Sequence, residues 1–181
     1  GEFAVRGIEN ADLERGGLLI TAHLGNWEYL GVIGQTLGMR GGGIVRPFDD
    51  ARVDAAIDEI RRSGKFETIG KDGAGKRLMQ LIKDGGYVVV AIDQSARENA
   101  VPTTFFGHRC WSTIAPAMIA LRSKAPIYPT FIVEEGDGTL AMIVKPAITF
   151  ERTGHMRRDL VAITQKCQDA IEEAVRDHPE Q

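Results

Sequence analysis

The chain has 181 residues, of which 43% are apolar and 26% charged, and its formal net charge is −3. These proportions are typical of a folded domain and exclude a disordered, a collagen-like or a disulfide-dense chain. The mildly acidic balance argues against a nucleic-acid partner, because nucleic-acid-binding domains are normally basic. The two cysteines, Cys110 and Cys167, lie outside any metal-binding spacing, so we expect neither a zinc site nor a structural disulfide.

Short apolar runs alternate with amphipathic segments along most of the chain. Strands are predicted, in chain order, at 16–22, 43–45, 66–69, 87–92, 127–133 and 140–144. Helices are predicted at 27–37, after Asp49 or Asp50, around 78–82, at 113–122 and at 157–176. This alternation predicts an α/β fold, a single domain over residues 1–181 with a mostly parallel central sheet flanked by helices. The turn at 135–138 predicts one antiparallel pair of strands.

Polar side chains directly follow three of the predicted strands. They are His23, Arg46 and Asp93, and Gln94 comes next to the last of them. In open α/β sheets the ligand lies beyond the carboxyl ends of the strands. We therefore expect these side chains to converge in one cleft at that edge of the sheet.

His23 lies where a predicted buried strand gives way to a helix, and Glu28 falls in the first turn of that helix. Gly25 permits the tight bend between them, and Asn26 is placed to cap the helix. A carboxylate at this spacing can hold one imidazole nitrogen and leave the other to take a proton from a substrate. The backbone N–H groups of residues 25–27 point out of a helix N-terminus, which favours a phosphate or an oxyanion. The simpler alternative is a histidine that ends a strand and a glutamate that complements a helix dipole.

The string TAHLGNWE at 21–28 resembles the first motif of the lipid A biosynthesis acyltransferases, the lauroyl/myristoyl type within the glycerolipid acyltransferase superfamily. Further blocks are similar in the same order. They are IVRP at 44–47, GYVVVAIDQ at 86–94, FFG at 105–107 and APIYP at 125–129, and the closing segment HPEQ at 178–181 also fits. The resemblance covers residues 15–181, and the ordered set is far more specific than any one block.

The resemblance implies transfer of a fatty acyl group from a thioester of acyl carrier protein or coenzyme A to a hydroxyl of a lipid A-type glycolipid, on a glycerolipid acyltransferase-like domain. His23 would be the general base and Glu28 its partner, with no acyl-enzyme, no metal and no cofactor besides the acyl thioester as co-substrate. Three alternatives stay open. These are another glycolipid acceptor such as a mannosylated phosphoinositide, a thioesterase that uses water, and a lipid- or carrier-binding module that has lost turnover.

The remaining candidates have substrate-binding interpretations. Arg46 would clamp an anionic group, such as a pantetheine or glycolipid phosphate, unless it is a surface arginine paired with a nearby aspartate. Asp93 and Gln94 would bind acceptor hydroxyls, unless Asp93 only caps the following segment. Phe105 and Phe106 would line an acyl channel, although aromatic residues in this setting are more often part of the core.

The ends of the sequence suggest a fragment of a longer protein. The family's hydrophobic N-terminal anchor and its Trp/Arg-rich C-terminal tail have no counterpart here, and residues 1–3 are typical of a cloning remnant. We expect the full-length protein at the cytoplasmic face of the bacterial inner membrane. The fragment itself should be soluble and bind a membrane surface weakly.

Overall fold

The computed structural model describes residues 3–44, 49–63, 66–70 and 74–181. The strands in this part of the chain are β1 (Phe3–Arg6), β2 (Gly17–Thr21), β3 (Gly41–Ile44), β4 (Glu67–Ile69), β5 (Tyr87–Ala91), β6 (Ala100–Phe105), β7 (His108–Thr113), β8 (Ile127–Glu134) and β9 (Leu140–Val144). The α-helices are α1 (Leu30–Thr36), α2 (Ala51–Ser63), α3 (Ala74–Lys83), α4 (Ala115–Ser123) and α5 (Met156–Asp177). Short 3₁₀ turns lie at Ile8–Asn10 and Trp27–Tyr29.

Seven strands form the central sheet in the order β1-β9-β8-β2-β5-β3-β4. The strands from β8 to β4 in this order are parallel to one another. β9 pairs with β8 in the antiparallel sense, and the edge strand β1 is parallel to β9. The predicted mostly parallel sheet is confirmed, and so is the antiparallel pair joined by the turn at 135–138.

Apolar residues of the central strands are buried on both faces of the sheet. Leu18 and Ile20 of β2 belong to the core beneath α3, α4 and α5, and both are 0% exposed. Leu19, between them, faces the second core, which α1 covers on the other side. Because successive strand residues point to opposite faces, a strand with helices on both sides needs a continuous apolar run. That is the pattern from which this strand and β5 were predicted.

β6 and β7 form a separate antiparallel hairpin that was not predicted. Phe106 and Gly107 close the hairpin with φ values of 48° and 76°, as a two-residue type I′ turn requires. The hairpin buries hydroxyl groups at positions where a strand usually buries apolar side chains. Its sequence therefore shows little of the alternating apolar pattern that predicts a strand. Thr103 Oγ1 lies 2.7 Å from Ser112 Oγ, and both residues are buried.

The strand order brings two predicted site residues to the same edge of the sheet. β2 and β5 are parallel neighbours with Thr21 opposite Ala91, so the residues that follow them leave the sheet side by side. His23 comes two residues after the end of β2, and Asp93 two residues after the end of β5. β3 pairs with β5 on its other side and ends at Ile44 on the same edge. Arg46, the third predicted residue, lies outside the described residues.

Candidate active site

His23 and Asp93 are joined by two hydrogen bonds at the carboxyl edge of the sheet. The backbone N–H of His23 donates to Asp93 Oδ2 at 3.0 Å, and His23 Nδ1 lies 2.8 Å from Asp93 Oδ1. A carboxylate at Nδ1 requires a proton on that nitrogen, which leaves Nε2 with its lone pair as the proton acceptor. The His23 side chain is 39% exposed, so a substrate can approach the ring.

Trp27 packs against the same imidazole. Its ring meets that of His23 edge to face, with 5.0 Å between the centroids and 68° between the planes. The imidazole therefore contacts both the Trp27 ring and the Asp93 carboxylate. Trp27 belongs to the first motif, but its contact with His23 was not predicted.

Glu28 does not form the expected contact with His23. Its two carboxylate oxygens accept hydrogen bonds from Arg61, at 3.1 Å from Nε and 2.8 Å from Nη2. Arg61 lies on α2 and is only 6% exposed. A buried guanidinium must be paired, and it offers Glu28 two charge-assisted bonds where an imidazole offers one. The carboxylate that holds an imidazole nitrogen is therefore that of Asp93 and not, as expected, that of Glu28.

The backbone after His23 is bound to β8. Gly25 has a φ of 57°, and a Cβ atom there would lie 2.2 Å from the carbonyl oxygen of Ile132, so only glycine fits. The Asn26 N–H donates to that same carbonyl at 3.0 Å. The Asn26 side chain forms no capping hydrogen bond, and the chain continues as a 3₁₀ turn before α1 begins. The helical stretch thus begins at Trp27, as predicted, but as a 3₁₀ turn. The Asn26 N–H is bonded to Ile132 and is therefore not available to an oxyanion.

The other predicted residues have different surroundings. Gln94 is exposed next to Asp93. Phe105 packs against the core at the end of the hairpin, and Phe106 lies beneath the Arg176 guanidinium at 4.5 Å. The Phe106 N–H also donates to Glu172 on α5 at 2.6 Å. Contact of Phe105 and Phe106 with an acyl chain stays a prediction.

A cavity of about 1070 Å³ lies between α3 and α4. The apolar side chains along it are Leu78, Met79, Ile82, Ile114, Met118 and Ile119. One end reaches Ile44 at the carboxyl edge of the sheet, and the other reaches Arg15 and Lys124 near the amino ends of β2 and β8. Its size is at the upper end of the range for small-molecule sites. The cavity was not predictable from the sequence, because a gap between two helices depends on their separation and not on either helix alone.

The described residues contain no group of three His, Cys, Asp or Glu side chains arranged to hold a metal ion. None of their helices is long and apolar enough to cross a bilayer.

Known proteins are similar to this chain in sequence and in fold. A phosphatidylinositol mannoside acyltransferase of Mycolicibacterium smegmatis is 26% identical over 174 residues, which is 93% of this chain and 55% of that protein. The chain thus spans about half the length of this curated relative. The crystal structure of the 1-acyl-sn-glycerophosphate (LPA) acyltransferase PlsC from Thermotoga maritima has a TM-score of 0.51 and 14% identity, covering 100% of this chain and 73% of PlsC. At that identity the likeness shows a shared fold.

The family match extends over almost the whole chain. Residues 4–181 fit the family described as bacterial lipid A biosynthesis acyltransferase. The matched range includes the central sheet, the His23–Asp93 pair and the Glu28–Arg61 pair. This chain therefore belongs to the bacterial lipid A biosynthesis acyltransferase family.

Proposed function

We propose that this chain carries the catalytic site of an O-acyltransferase, which moves a fatty acyl group from an acyl thioester to a hydroxyl of a lipid A-type glycolipid. The observation that carries the proposal is the exposed His23 ring held at Nδ1 by Asp93, in a chain that belongs to an acyltransferase family. This arrangement supplies an oriented general base at the edge of the sheet where ligands of such folds bind.

The reaction is a direct transfer in this proposal. His23 Nε2 takes the proton of the acceptor hydroxyl while the hydroxyl oxygen attacks the thioester carbonyl carbon. The tetrahedral intermediate then expels the thiolate, which recovers the proton from Nε2. Asp93 keeps the ring in the reactive tautomer and stabilises the imidazolium that exists between the two proton transfers. The products are the acylated glycolipid and the free thiol of the carrier.

The cysteines and the sequence offer no support for an acyl-enzyme. Cys167 is buried in the core, and burial raises the pKa of its thiol to about 12. Cys110 faces the hydroxyl groups of Thr103 and Ser112 within the hairpin. There is also no Gly-x-Ser-x-Gly motif to provide a serine nucleophile. A nucleophile activated in the acceptor itself is the simpler route.

The cavity between α3 and α4 supports an acyl thioester as the donor. Apolar side chains of both helices line it, and it reaches Ile44 at the carboxyl end of β3, although neither His23 nor Asp93 belongs to its lining. Burial of each methylene of an acyl chain there would contribute about 0.8 kcal/mol. Basic side chains border the same cavity, namely Arg15, Lys76, Lys83, Arg122 and Lys124. They suit the phosphates of coenzyme A or the acidic surface of an acyl carrier protein, and Arg46 and Gln94 would add contacts to donor or acceptor.

Two acceptors have support of different kinds. The family description favours lipid A, whereas the curated relative is named for a phosphatidylinositol mannoside. Both are glycolipids with free sugar hydroxyls, so the same base serves either. In either case we propose that the full-length protein works at the cytoplasmic face of the bacterial inner membrane, where the acceptor lies in the membrane surface.

The test is a transfer assay with the full-length protein in vesicles that contain one acceptor at a time. Acyl carrier protein and coenzyme A thioesters are compared as donors, and mass spectrometry identifies the acylated product. We expect one glycolipid to gain an acyl ester, and His23→Ala to abolish the gain without loss of fold. Release of free fatty acid alone would identify a thioesterase instead. Binding without thioester cleavage by catalytic amounts of protein would identify a binding module.

A further inference from the structure

A buried amide on α5 contacts the residue that follows β5. Gln168 is 3% exposed, and its Nε2 donates to the Ile92 carbonyl oxygen at 2.9 Å. Its neighbours on the buried side of α5 include Cys167 and Ile171, which are apolar and almost fully buried. A long polar side chain is unfavourable in such a place unless it is hydrogen-bonded, so the bond to Ile92 accounts for this glutamine.

Both backbone groups of Ile92, the N–H and the carbonyl, form hydrogen bonds. Its N–H donates to the Thr21 carbonyl at 3.0 Å, which extends the pairing of β2 with β5 by one residue. Its carbonyl group accepts from Gln168 and belongs to the peptide unit that contains the Asp93 nitrogen. Because a peptide unit is planar, the hydrogen bond from Gln168 also fixes the direction in which the chain enters Asp93.

The Asp93 carboxylate must meet two donors of His23 at once, the backbone N–H and Nδ1. Hydrogen bonds weaken steeply with misalignment, so a small tilt of the peptide before Asp93 would weaken one of the two. We propose that Gln168 is a positioning residue of the active site. It acts through the Ile92 carbonyl to hold Asp93, and Asp93 in turn orients His23. The inference rests on the proposed function, since it assigns Gln168 a part in the same base.

The first test compares Gln168→Met with Gln165→Met in the full-length protein. Gln165 is the matched control, because it lies one turn away on α5 and its amide bonds the backbone of Thr104 in the hairpin, not β5. We expect Gln168→Met to lower kcat by about tenfold with KM unchanged, since the base is misaligned and the substrate contacts are intact. Gln165→Met should keep wild-type kcat. An unchanged kcat in folded Gln168→Met protein would overturn the proposal.

The second test places Gln168→Met in an Asp93→Asn background. In that background the carboxylate that Gln168 positions is already absent. Gln168→Met should therefore no longer lower kcat, whereas it should still lower Tm. An equal loss of kcat in both backgrounds would show that Gln168 acts on the fold and not through Asp93. Gln168→Asn serves if the Met variant does not fold. It keeps the amide but withdraws it by about 1.5 Å, which is too far for the same bond.

A third measurement does not depend on turnover. The Nδ1–H proton of His23 reports its hydrogen bond to Asp93 directly in an NMR spectrum. We expect this signal to shift or broaden in Gln168→Met and to stay unchanged in Gln165→Met. If the signal responds in this way in a protein without transferase activity, the positioning role holds and the proposed function fails. If the signal is the same in both variants, the positioning role fails.

Discussion

At the scale of single residues, the carboxylate that orients His23 comes from a neighbouring strand and not from its own turn. His23→Ala should abolish transfer, because the base and the proton return to the thiolate are both lost; such a group contributes roughly 10²–10⁴-fold. Asp93→Asn should lower the transfer rate almost as much, since an amide cannot stabilise the imidazolium. Glu28→Gln should lower the rate less. The Asp93→Asn/His23→Ala double variant should have the same rate as His23→Ala alone.

Single-turnover kinetics and Tm on these variants decide the assignment. A larger loss from Glu28→Gln than from Asp93→Asn, at equal Tm, would return the orienting role to Glu28. Near-wild-type transfer by folded His23→Ala protein would exclude the mechanism altogether.

The Glu28–Arg61 pair predicts a stability effect. Glu28→Gln removes the hydrogen-bonded counter-charge of a guanidinium that is 6% exposed and leaves it only the longer contact with Asp58, 3.9 Å from Nη1, at a cost of up to about 3–5 kcal/mol. A second change, Arg61→Met, removes the guanidinium charge and should recover part of the loss. The free energy of unfolding in urea measures both. Glu67→Gln is the control, because its partner Arg77 is exposed and that pair should matter much less. Equal losses from the two glutamate variants would contradict the prediction.

The residues of the site were predictable from the sequence, but the pairing between them was not. His23 and Asp93 were both identified from their places after predicted strands. Which carboxylate reaches the imidazole depends on β2 lying beside β5, and strand order is a property of the whole sheet. Gln168 was hidden for a related reason. The role of a polar residue within an apolar helical stripe can be assigned only when its partner is known. The partner of Gln168, Ile92, lies 76 positions away in the sequence.

At the scale of elements, apolar periodicity predicted the helices and central strands within a few residues of their observed bounds. It failed for the β6–β7 hairpin, where two of the three buried residues, Thr103 and Ser112, carry hydroxyl groups, and for the short edge strand β1. Both elements depend on partners elsewhere, since β6 packs on α5 and β1 pairs with β9. Periodicity detects an element that buries its own apolar side chains, and neither of these does so strongly.

The start of α5 predicts a pH-dependent stability. Asp159 accepts hydrogen bonds from the backbone N–H and the hydroxyl of Thr153, and these lower the pKa of its carboxyl group. A pKa lowered on folding adds stability above the unfolded value, and that stability is lost as the pH falls through the folded value. Asp159→Asn should therefore lower Tm at neutral pH, and the difference from wild type should shrink at about pH 3.

Thermal unfolding at both pH values checks this expectation. Glu151→Gln, an exposed carboxyl group in the same segment, is the control and should change Tm little at either pH. A difference between Asp159→Asn and wild type that is the same at both pH values would mean that the ionised carboxylate is not the cause.

At the scale of the whole molecule, the cavity between α3 and α4 extends from the carboxyl ends of the strands to their amino ends. Met118 lies within it, so Met118→Trp should narrow it and shift preference toward shorter acyl donors. Each methylene excluded should lower kcat/KM by about fourfold, the equivalent of about 0.8 kcal/mol. Met156→Trp, an exposed position outside the cavity, is the matched control. The measurement is kcat/KM over a series of donor lengths, and an unchanged profile in Met118→Trp would place the acyl chain elsewhere.

The position of β2 between β8 and β5 also governs how the chain acquires its structure during synthesis. β2 ends at Thr21, but β8, its partner on one side, begins only at Ile127. The hydrogen-bonding groups on that side of β2 therefore stay unpaired until most of the chain has been made. At roughly 5–20 residues per second, translation leaves this apolar strand open for about 5–20 seconds. Nascent chains that end before β8 should therefore bind chaperones through β2, and the His23–Asp93 pair should form late, once the centre of the sheet has closed.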